Sequence, residues 1–293
     1  MITEAPLYIN WNYTYKCNLN CKHCYSRDKS EVEDELSTAQ YIKIVDKLAE
    51  AKVFQVNLGG GEPTLRADYL EIIKHISDKG MKANLSSNGW FITEKISEEL
   101  KNSNVGTVFI SLDNIIPKLH DDFRSKEGSF ERAINATKLC VDKGIEVVFS
   151  TVITKLNYDC LEDIVKFAKE LGVARVDFKR FKIKGNGLIN SEQLVLTKPQ
   201  EDLLYDKIKM MREKYEYPVS LVYGETPFED IDQGCPCGKT SLGLTPSGEI
   251  LPCVYNKYSI GNILKEDLRT IWKTSPKLIQ MRKSLTCMGF SDL

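Results

Sequence analysis

No run of apolar residues in this 293-residue chain approaches the ~20 needed to span a bilayer as a helix. The opening Met1-Ile-Thr-Glu-Ala-Pro6 lacks the charged, apolar and cleavage regions of a signal peptide. Net charge is almost absent too: 40 Lys and Arg against 41 Asp and Glu leave -1. There is thus no basic field for nucleic acid and no anchor for anionic lipid. These absences point to the cytoplasm, with neither nucleic acid nor membrane as a partner. Nine cysteines, an odd number without a secretory signal, argue against a disulfide framework, and the cytoplasm keeps thiols reduced. At 42% apolar and 28% charged, the composition is that of an ordinary globular protein, long enough for one large domain and a small appendage.

What is present is a concentration of thiols. Cys17-Asn-Leu-Asn-Cys21-Lys-His-Cys24-Tyr25 sets three of them within eight residues, directly after a strand-like run. Thiolates hold iron-sulfur clusters, and a fully protein-held cluster needs four. With three, one iron stays open for a substrate or cofactor, as in an open catalytic zinc site. A zinc knot is the alternative, but it prefers paired C-x-x-C motifs or added histidines, and His23 is poorly spaced to join Cys21 and Cys24.

The rest of the chain alternates strand and helix patterns. Strands are expected at 7–13, 53–58, 81–86, 107–111, 145–152 and 175–180. The helix after the first strand opens on Ser37-Thr-Ala-Gln40, a capping signature. Such alternation implies right-handed β-α units around a parallel sheet. Six strands are too few for a closed eight-stranded barrel, so the count fits a partial barrel or an open doubly wound sheet equally. The unusual residues gather past the C-terminal ends of these strands: the cysteine loop, Gly59-Gly60-Gly61-Glu62-Pro63, Ser86-Ser87-Asn88-Gly89, Ser111-Leu-Asp113 and Arg180. In parallel β-α architectures that rim carries the active site. Glycines after a strand let backbone approach a ligand closely. Cys140, on the apolar side of its helix, reads as a buried inert thiol, and Cys160 is undecided.

The spacing C-x-x-x-C-x-x-C followed by an aromatic residue resembles the signature of the radical S-adenosylmethionine (radical SAM) enzymes. That resemblance implies an α/β fold, a partial (β/α)6 TIM-like barrel, with a 4Fe-4S cluster on Cys17, Cys21 and Cys24. The open iron would chelate S-adenosylmethionine, whose reductive cleavage yields a 5'-deoxyadenosyl radical that takes hydrogen from a substrate. Gly60, Gly61 and Glu62 resemble the family's GGEP motif and would meet the methionine amino group. Ser111 and Asp113 would serve the ribose hydroxyls or the methionyl end of the cofactor, with Asn88 and Arg180 as further contacts on the rim. The stretch His120-Asp-Asp-Phe-Arg124 resembles the family's loop after the fourth strand, with His120 expected to cap it rather than shuttle protons.

Past Arg180, Lys182-Ile-Lys-Gly-Asn-Gly-Leu188 reads as a glycine-containing connector. This gives a division into residues 1–182, 183–233 and 234–293. A helix is expected from Pro199 to Tyr215, then a hairpin over 242–253 around a Pro-Ser-Gly turn. Cys235, Cys237, Cys253 and Cys287 resemble a SPASM or twitch iron-sulfur extension and suffice for one auxiliary 4Fe-4S cluster, not two. Cys237 is either a ligand or a substrate-facing thiol, and a structural zinc ribbon is the alternative for the set. The resemblance implies a flavodoxin- or ferredoxin-type electron donor. It implies modification of a peptide or protein by crosslinking, epimerisation or oxidation, in the manner of ribosomal-peptide maturases. Dehydrogenation or epimerisation of a sugar, aminocyclitol or cofactor precursor is the second reading, and the absence of a leader-recognition domain ahead of Cys17 is the expectation that keeps it open.

Overall fold

Seven strands follow one another in strict chain order, all parallel, in the computed structural model of the chain, which describes residues 3–27, 35–222, 236–256 and 258–283. They are β1 (Tyr8–Thr14), β2 (Gln55–Gly60), β3 (Lys82–Ser87), β4 (Thr107–Ser111), β5 (Glu146–Ile153), β6 (Arg175–Arg180) and β7 (Val219–Val222). β8 (Ser241–Leu244) pairs parallel on the free side of β1, and β9 (Glu249–Leu251) and β10 (Gly261–Asn262) continue antiparallel to the other edge. A doubly wound sheet reverses its order at a switch point. This sheet runs from β1 to β7 without reversal and ends on two separate edges, as a partial barrel does.

The expected six strands all form, with ends shifted by one or two residues at most positions. The seventh, β7, lies in the segment taken for a connector. Its four residues were too short to register as a periodic pattern.

Between the strands run α1 (Thr38–Glu50), α2 (Tyr69–Asp78), α3 (Glu94–Asn102), α4 (Pro117–Arg124), α5 (Ser129–Asp142) and α6 (Leu161–Glu170). α7 (Asn186–Ile189), α8 (Ser191–Leu194) and α9 (Lys198–Tyr215) lead to β7, and α10 (Leu268–Thr274) and α11 (Pro276–Arg282) close the described chain. Ser37 caps α1 as its sequence implied, with Gln40 Oε1 accepting from the Ser37 amide at 3.0 Å. The α4 segment was expected to be a loop. Pro117 at its first turn, Ser125 in the left-handed conformation at its end, and buried His120, Phe123 and Arg124 at helical spacing make it a helix.

Alternation along the strands separates two interiors. Ile9, Trp11 and Tyr13 of β1 pack outward with Tyr41, Ile44 and Leu48 of α1, the Trp11 and Tyr41 rings 4.9 Å apart. Asn10 and Asn12 point the other way. In register across β1, β2 and β3 stand Asn10, Asn57 and Asn84, joined by Asn57 Nδ2 donating to Asn10 Oδ1 at 2.8 Å and Asn84 Nδ2 donating to Asn57 Oδ1 at 2.9 Å. The hydrophobic core therefore lies between sheet and helices, and the inside of the curved sheet is polar. Cys140 is fully buried in that outer core, as expected.

The C-terminal segment is seated on the first strand and helix rather than hanging free. Trp11 Nε1 donates to Thr245 O at 3.2 Å, Lys47 Nζ to Ile263 O at 2.6 Å and Arg269 Nη2 to Glu50 O at 2.7 Å. Trp272 is completely buried, donates to Thr3 O at 2.8 Å, and has the Arg282 guanidinium 4.3 Å above its ring. Trp272→Ala should cost about 3–5 kcal/mol by cavity formation, read as a lower urea midpoint. An unchanged midpoint would show that this seat is not part of the cooperative unit.

Candidate active site

A cavity of about 220 Å³ opens at the C-terminal ends of the strands, lined by Cys17, Cys21 and Cys24 together with Gly59, Gly60 and Gly61. Among its described residues the loop bearing the cysteines contains almost no regular structure. Its position is set by backbone contacts from two sides. On one side, Gly61 N donates to Thr14 O at 2.7 Å and Glu62 N to Lys16 O at 2.8 Å. A Cβ on Gly61 would stand 2.1 Å from Lys16 O, and one on Gly60, whose φ is +106°, would stand 2.4 Å from Thr14 O. Only glycine lets the two backbones meet so closely. On the other side, Asn186 N donates to Cys24 O at 2.9 Å, and Asn186 Nδ2 and Asn190 Nδ2 reach Cys21 O at 3.0 Å and Lys22 O at 3.1 Å. Gly185 at φ +55° sits where a Cβ would be 2.4 Å from Cys24 O. The supposed connector is thus a second clamp on the cysteine loop.

Glu62 is wholly buried and faces protein. Its Oε1 accepts from Thr64 Oγ1 at 2.6 Å and Ser87 Oγ at 2.9 Å, and its Oε2 from Asn88 N at 2.7 Å. Burial pushes its carboxyl above the ordinary range, and the donors from Thr64, Asn88 and Ser87 pull against that. The carboxylate braces the glycine turn against the end of β3, and it does not line the cavity.

Asp113 is likewise turned inward. Arg124 Nε donates to its Oδ2 at 2.6 Å, Val152 N to its Oδ1 at 2.9 Å, and Asp113 N donates to His120 Nδ1 at 3.2 Å. Because His120 accepts at Nδ1, it is the neutral ring that holds this loop, and burial lowers its pKa to about 4. It caps the loop, as its sequence context implied. Arg124 places Nη1 3.9 Å from Cys21 Sγ. Burial opposes the Arg124 charge, but Asp113 beside it holds the guanidinium protonated. Burial also pushes the Cys21 thiol up to about 12, against the pull of Arg124. Taking up a metal there must release a proton.

Of the expected cofactor contacts, Gly60, Gly61, Asn88 and Ser111 line the cavity; Glu62, Asp113 and Arg180 do not. Asn88 Oδ1 accepts from Trp90 N at 2.9 Å, so its side chain also shapes the turn. In place of Arg180 the cavity has Lys179, its neighbour on the inner face of β6. Strand parity was the available signal, since Lys179 shares a face with the buried Asp177. Asn12 was missed as well. It is 2% exposed, its Oδ1 accepts from Tyr25 Oη at 2.9 Å, and its Nδ2 has no partner among the described residues. From the C-terminal segment Val254 and Tyr255 join the wall, the Tyr255 ring 4.6 Å from that of Tyr25. Cys253, one residue before, is buried with Cys237 and Met281. Cys235 and Cys287 lie outside the described residues.

These features suit a cluster with a polar organic ligand. Three thiols line one cavity, the Asn12 residue beside them carries a buried amide nitrogen with no partner among the described residues, and a glycine edge leaves backbone open toward it.

Gly61→Ala should lower both the melting temperature and the iron bound on anaerobic reconstitution, since its methyl collides with backbone. Gly59→Ala, whose Cβ would lie 3.6 Å from Ser86 Cβ, should leave both near wild type. Equal behaviour of the two variants would refute the clamp. His120 sets a pH dependence. Its folded pKa of about 4 lies below the ordinary imidazole value of 6.5, so between those values the unfolded chain binds more protons and stability falls as pH falls. The full loss is roughly 3 kcal/mol. Urea midpoints over that pH window should drop less steeply in His120→Gln, and an identical slope would exclude this residue as the cause.

A family profile described as the Radical SAM superfamily matches residues 11–168, and one described as the SPASM iron-sulfur cluster-binding domain matches residues 235–290. The mycofactocin maturase MftC of Mycolicibacterium smegmatis is 30% identical over 295 residues, spanning 96% of this chain and 73% of its own. The AdoMet-dependent heme synthase of Methanosarcina barkeri is 26% identical, spanning 96% and 86%. Among solved structures, Streptococcus suis SuiB bound to its precursor peptide SuiA superposes with a TM-score of 0.78 over 97% of this chain and 68% of SuiB, a likeness of fold at 20% identity. The chain belongs to the radical SAM superfamily, as an enzyme of 4Fe-4S and S-adenosylmethionine chemistry with a SPASM iron-sulfur domain at its C-terminal end.

Proposed function

We propose that this enzyme modifies a peptide by radical chemistry, with Cys17, Cys21 and Cys24 as the ligands of the catalytic cluster. The observation that carries the reading is the composite cavity, in which the cysteine loop, the glycine edge and Tyr255 of the SPASM segment share one wall system. Cys17, Cys21 and Cys24 would hold the cluster, which would supply the electron for reductive cleavage of S-adenosylmethionine and so the radical that takes hydrogen from the substrate.

The protein's part is positioning. Gly60 and Gly61 offer backbone to the methionyl end, Asn12 Nδ2 supplies a donor beside them, and Ser111 stands further along the rim. Tyr25 and Tyr255 give an apolar, aromatic flank against which an adenine or a side chain can pack. Glu62 and the Asp113–Arg124 pair act indirectly, by fixing the turn and the loop. Cys235, Cys237, Cys253 and Cys287 are assigned to one auxiliary cluster, and a flavodoxin- or ferredoxin-type protein to electron delivery. The residue division 1–182, 183–233 and 234–293 is kept as a functional one, although the middle part contributes to the cysteine clamp.

Support for a peptide comes from the likeness to the mycofactocin maturase and from the fold shared with SuiB, seen with a precursor peptide. Likeness to the heme synthase supports a second reading, action on a small molecule such as an iron porphyrin.

Replacing Cys17, Cys21 and Cys24 together by alanine should abolish 5'-deoxyadenosine formation after reduction yet leave iron at the C-terminal site. Iron falling to zero would mean a single cluster, and unchanged cleavage would sink the ligand assignment. A peptide encoded beside the gene should raise 5'-deoxyadenosine above the substrate-free level and change mass itself. A rise with iron porphyrin alone would select the second reading.

A further inference from the structure

We propose that Arg124 sets the reduction potential of the catalytic cluster, its guanidinium standing at Cys21 Sγ as a fixed positive charge that favours the reduced state. This rests on Cys17, Cys21 and Cys24 being the ligands of that cluster, as read above.

Three observations converge on it. The first is the surroundings of the sulfurs. Among the described residues Cys17 Sγ accepts from Leu19 N at 3.4 Å, Cys24 Sγ lies 3.4 Å from Ser26 Oγ, and Cys21 Sγ has Arg124 Nη1 at 3.9 Å. The amide and the hydroxyl are neutral, whereas a guanidinium is not deprotonated in proteins. Hydrogen bonds to the ligand sulfurs and the charge around them are means by which a protein places a cluster's potential.

The second is fixity. Arg124 Nε and Nη2 both reach Asp113 Oδ2, at 2.6 and 2.5 Å, which leaves Nη1 for the sulfur. The other carboxylate oxygen accepts from Val152 N at 2.9 Å. The two side chains are only 8% and 1% exposed, so salt screens the contact little. The end of α4 is fastened to the loop as well: Lys22 N donates to Phe123 O at 2.9 Å, and the Phe123 ring stacks on that of His23 at 4.5 Å. Both ties fall between Cys21 and Cys24.

The third is sign. Burial is the largest influence on the Cys21 thiol. Of the charged groups, Arg124 acts on it most strongly, ahead of Cys24 and Cys17, and Asp113 comes last. The ion pair therefore presents its positive end to the sulfur. At Cys17 the comparable cation, Arg27, ranks behind Glu62 and Cys24.

Reduction brings one electron to the cluster from the flavodoxin- or ferredoxin-type donor, makes and breaks no bond, and adds a negative charge near Arg124. Coulomb attraction favours that state. The donor then loads the cluster more readily, and the electron passes to the sulfonium with a smaller drop in potential.

The test is an EPR-monitored redox titration of the anaerobically reconstituted enzyme, the catalytic cluster being the one whose signal changes when S-adenosylmethionine is added. Arg124→Gln should make that cluster about tenfold harder to reduce, which is about 59 mV lower for one electron. Asp113→Asn leaves the guanidinium unopposed and should raise the potential, while Arg124→Lys should stay nearer wild type than Arg124→Gln. Loosened packing would move Arg124→Gln and Asp113→Asn the same way, so opposite signs distinguish charge from structure, and either variant carries the test if the other fails to load iron. An unchanged potential in Arg124→Gln, a fall in Asp113→Asn, or an equal shift of the C-terminal cluster would each overturn the proposal. A wild type in which no signal responds to S-adenosylmethionine removes the ligand assignment itself. A responding signal whose potential is unmoved in Arg124→Gln removes only the role of Arg124.

Discussion

The approach of two backbones, Thr14–Lys16 and Gly60–Glu62, to direct hydrogen-bond distance is what the rest of the site depends on. Among its described residues the cysteine loop has almost no helix or strand of its own to define it, so its shape is borrowed from what it leans on. β1 brings it to the rim, the glycine edge fixes its entry, and Gly185, Asn186 and Asn190 fix its exit. Glu62 then serves the same end from behind, because a buried carboxylate with several donors cannot move without leaving them unsatisfied. Each contact is worth little alone. Together they hold three thiols toward one cavity before any metal arrives.

Electrostatics pull in a different direction from packing here. Burial favours the neutral thiol at Cys21, and Arg124 favours the thiolate. Arg124 itself survives in the interior only because Asp113 is within 2.6 Å of it, and breaking such a pair by removing one partner typically costs about 3–5 kcal/mol. Asp113 is in turn tied to β5 through Val152 N and to His120. The thiol that faces the guanidinium is therefore linked through one chain of polar contacts to α4 and β5.

Much of this was legible in the sequence and some was not, for identifiable reasons. The six longer parallel strands, the capped α1, the buried Cys140 and the gathering of unusual residues on one rim follow from periodicity and spacing. The polar lining was harder to see. Asn10, Asn57 and Lys179 occupy the positions of a strand face that normally meets water, and an alternating pattern reads the same whether that face meets solvent or encloses a cavity. Glu62 and Asp113 were placed on the correct rim, yet a carboxylate at a strand end gives no sign of whether it turns toward ligand or toward a neighbouring guanidinium. Gly185 read as part of a connector. Its use as a docking point for Cys24 O depends on a partner more than 150 positions away, which no local pattern contains.

The pairing of β8 with β1 sets a condition on biosynthesis. Trp11 and Thr245, which close that seam, are 234 positions apart, so on the ribosome the first strand emerges with one edge bare and stays so until the chain has been made past Thr245. Contacts of such long range are slow to form, and an unpaired strand edge invites association with other chains in the meantime. The cysteine loop, by contrast, is held by β1, β2, α4 and the connector, all of which precede β8 in the chain.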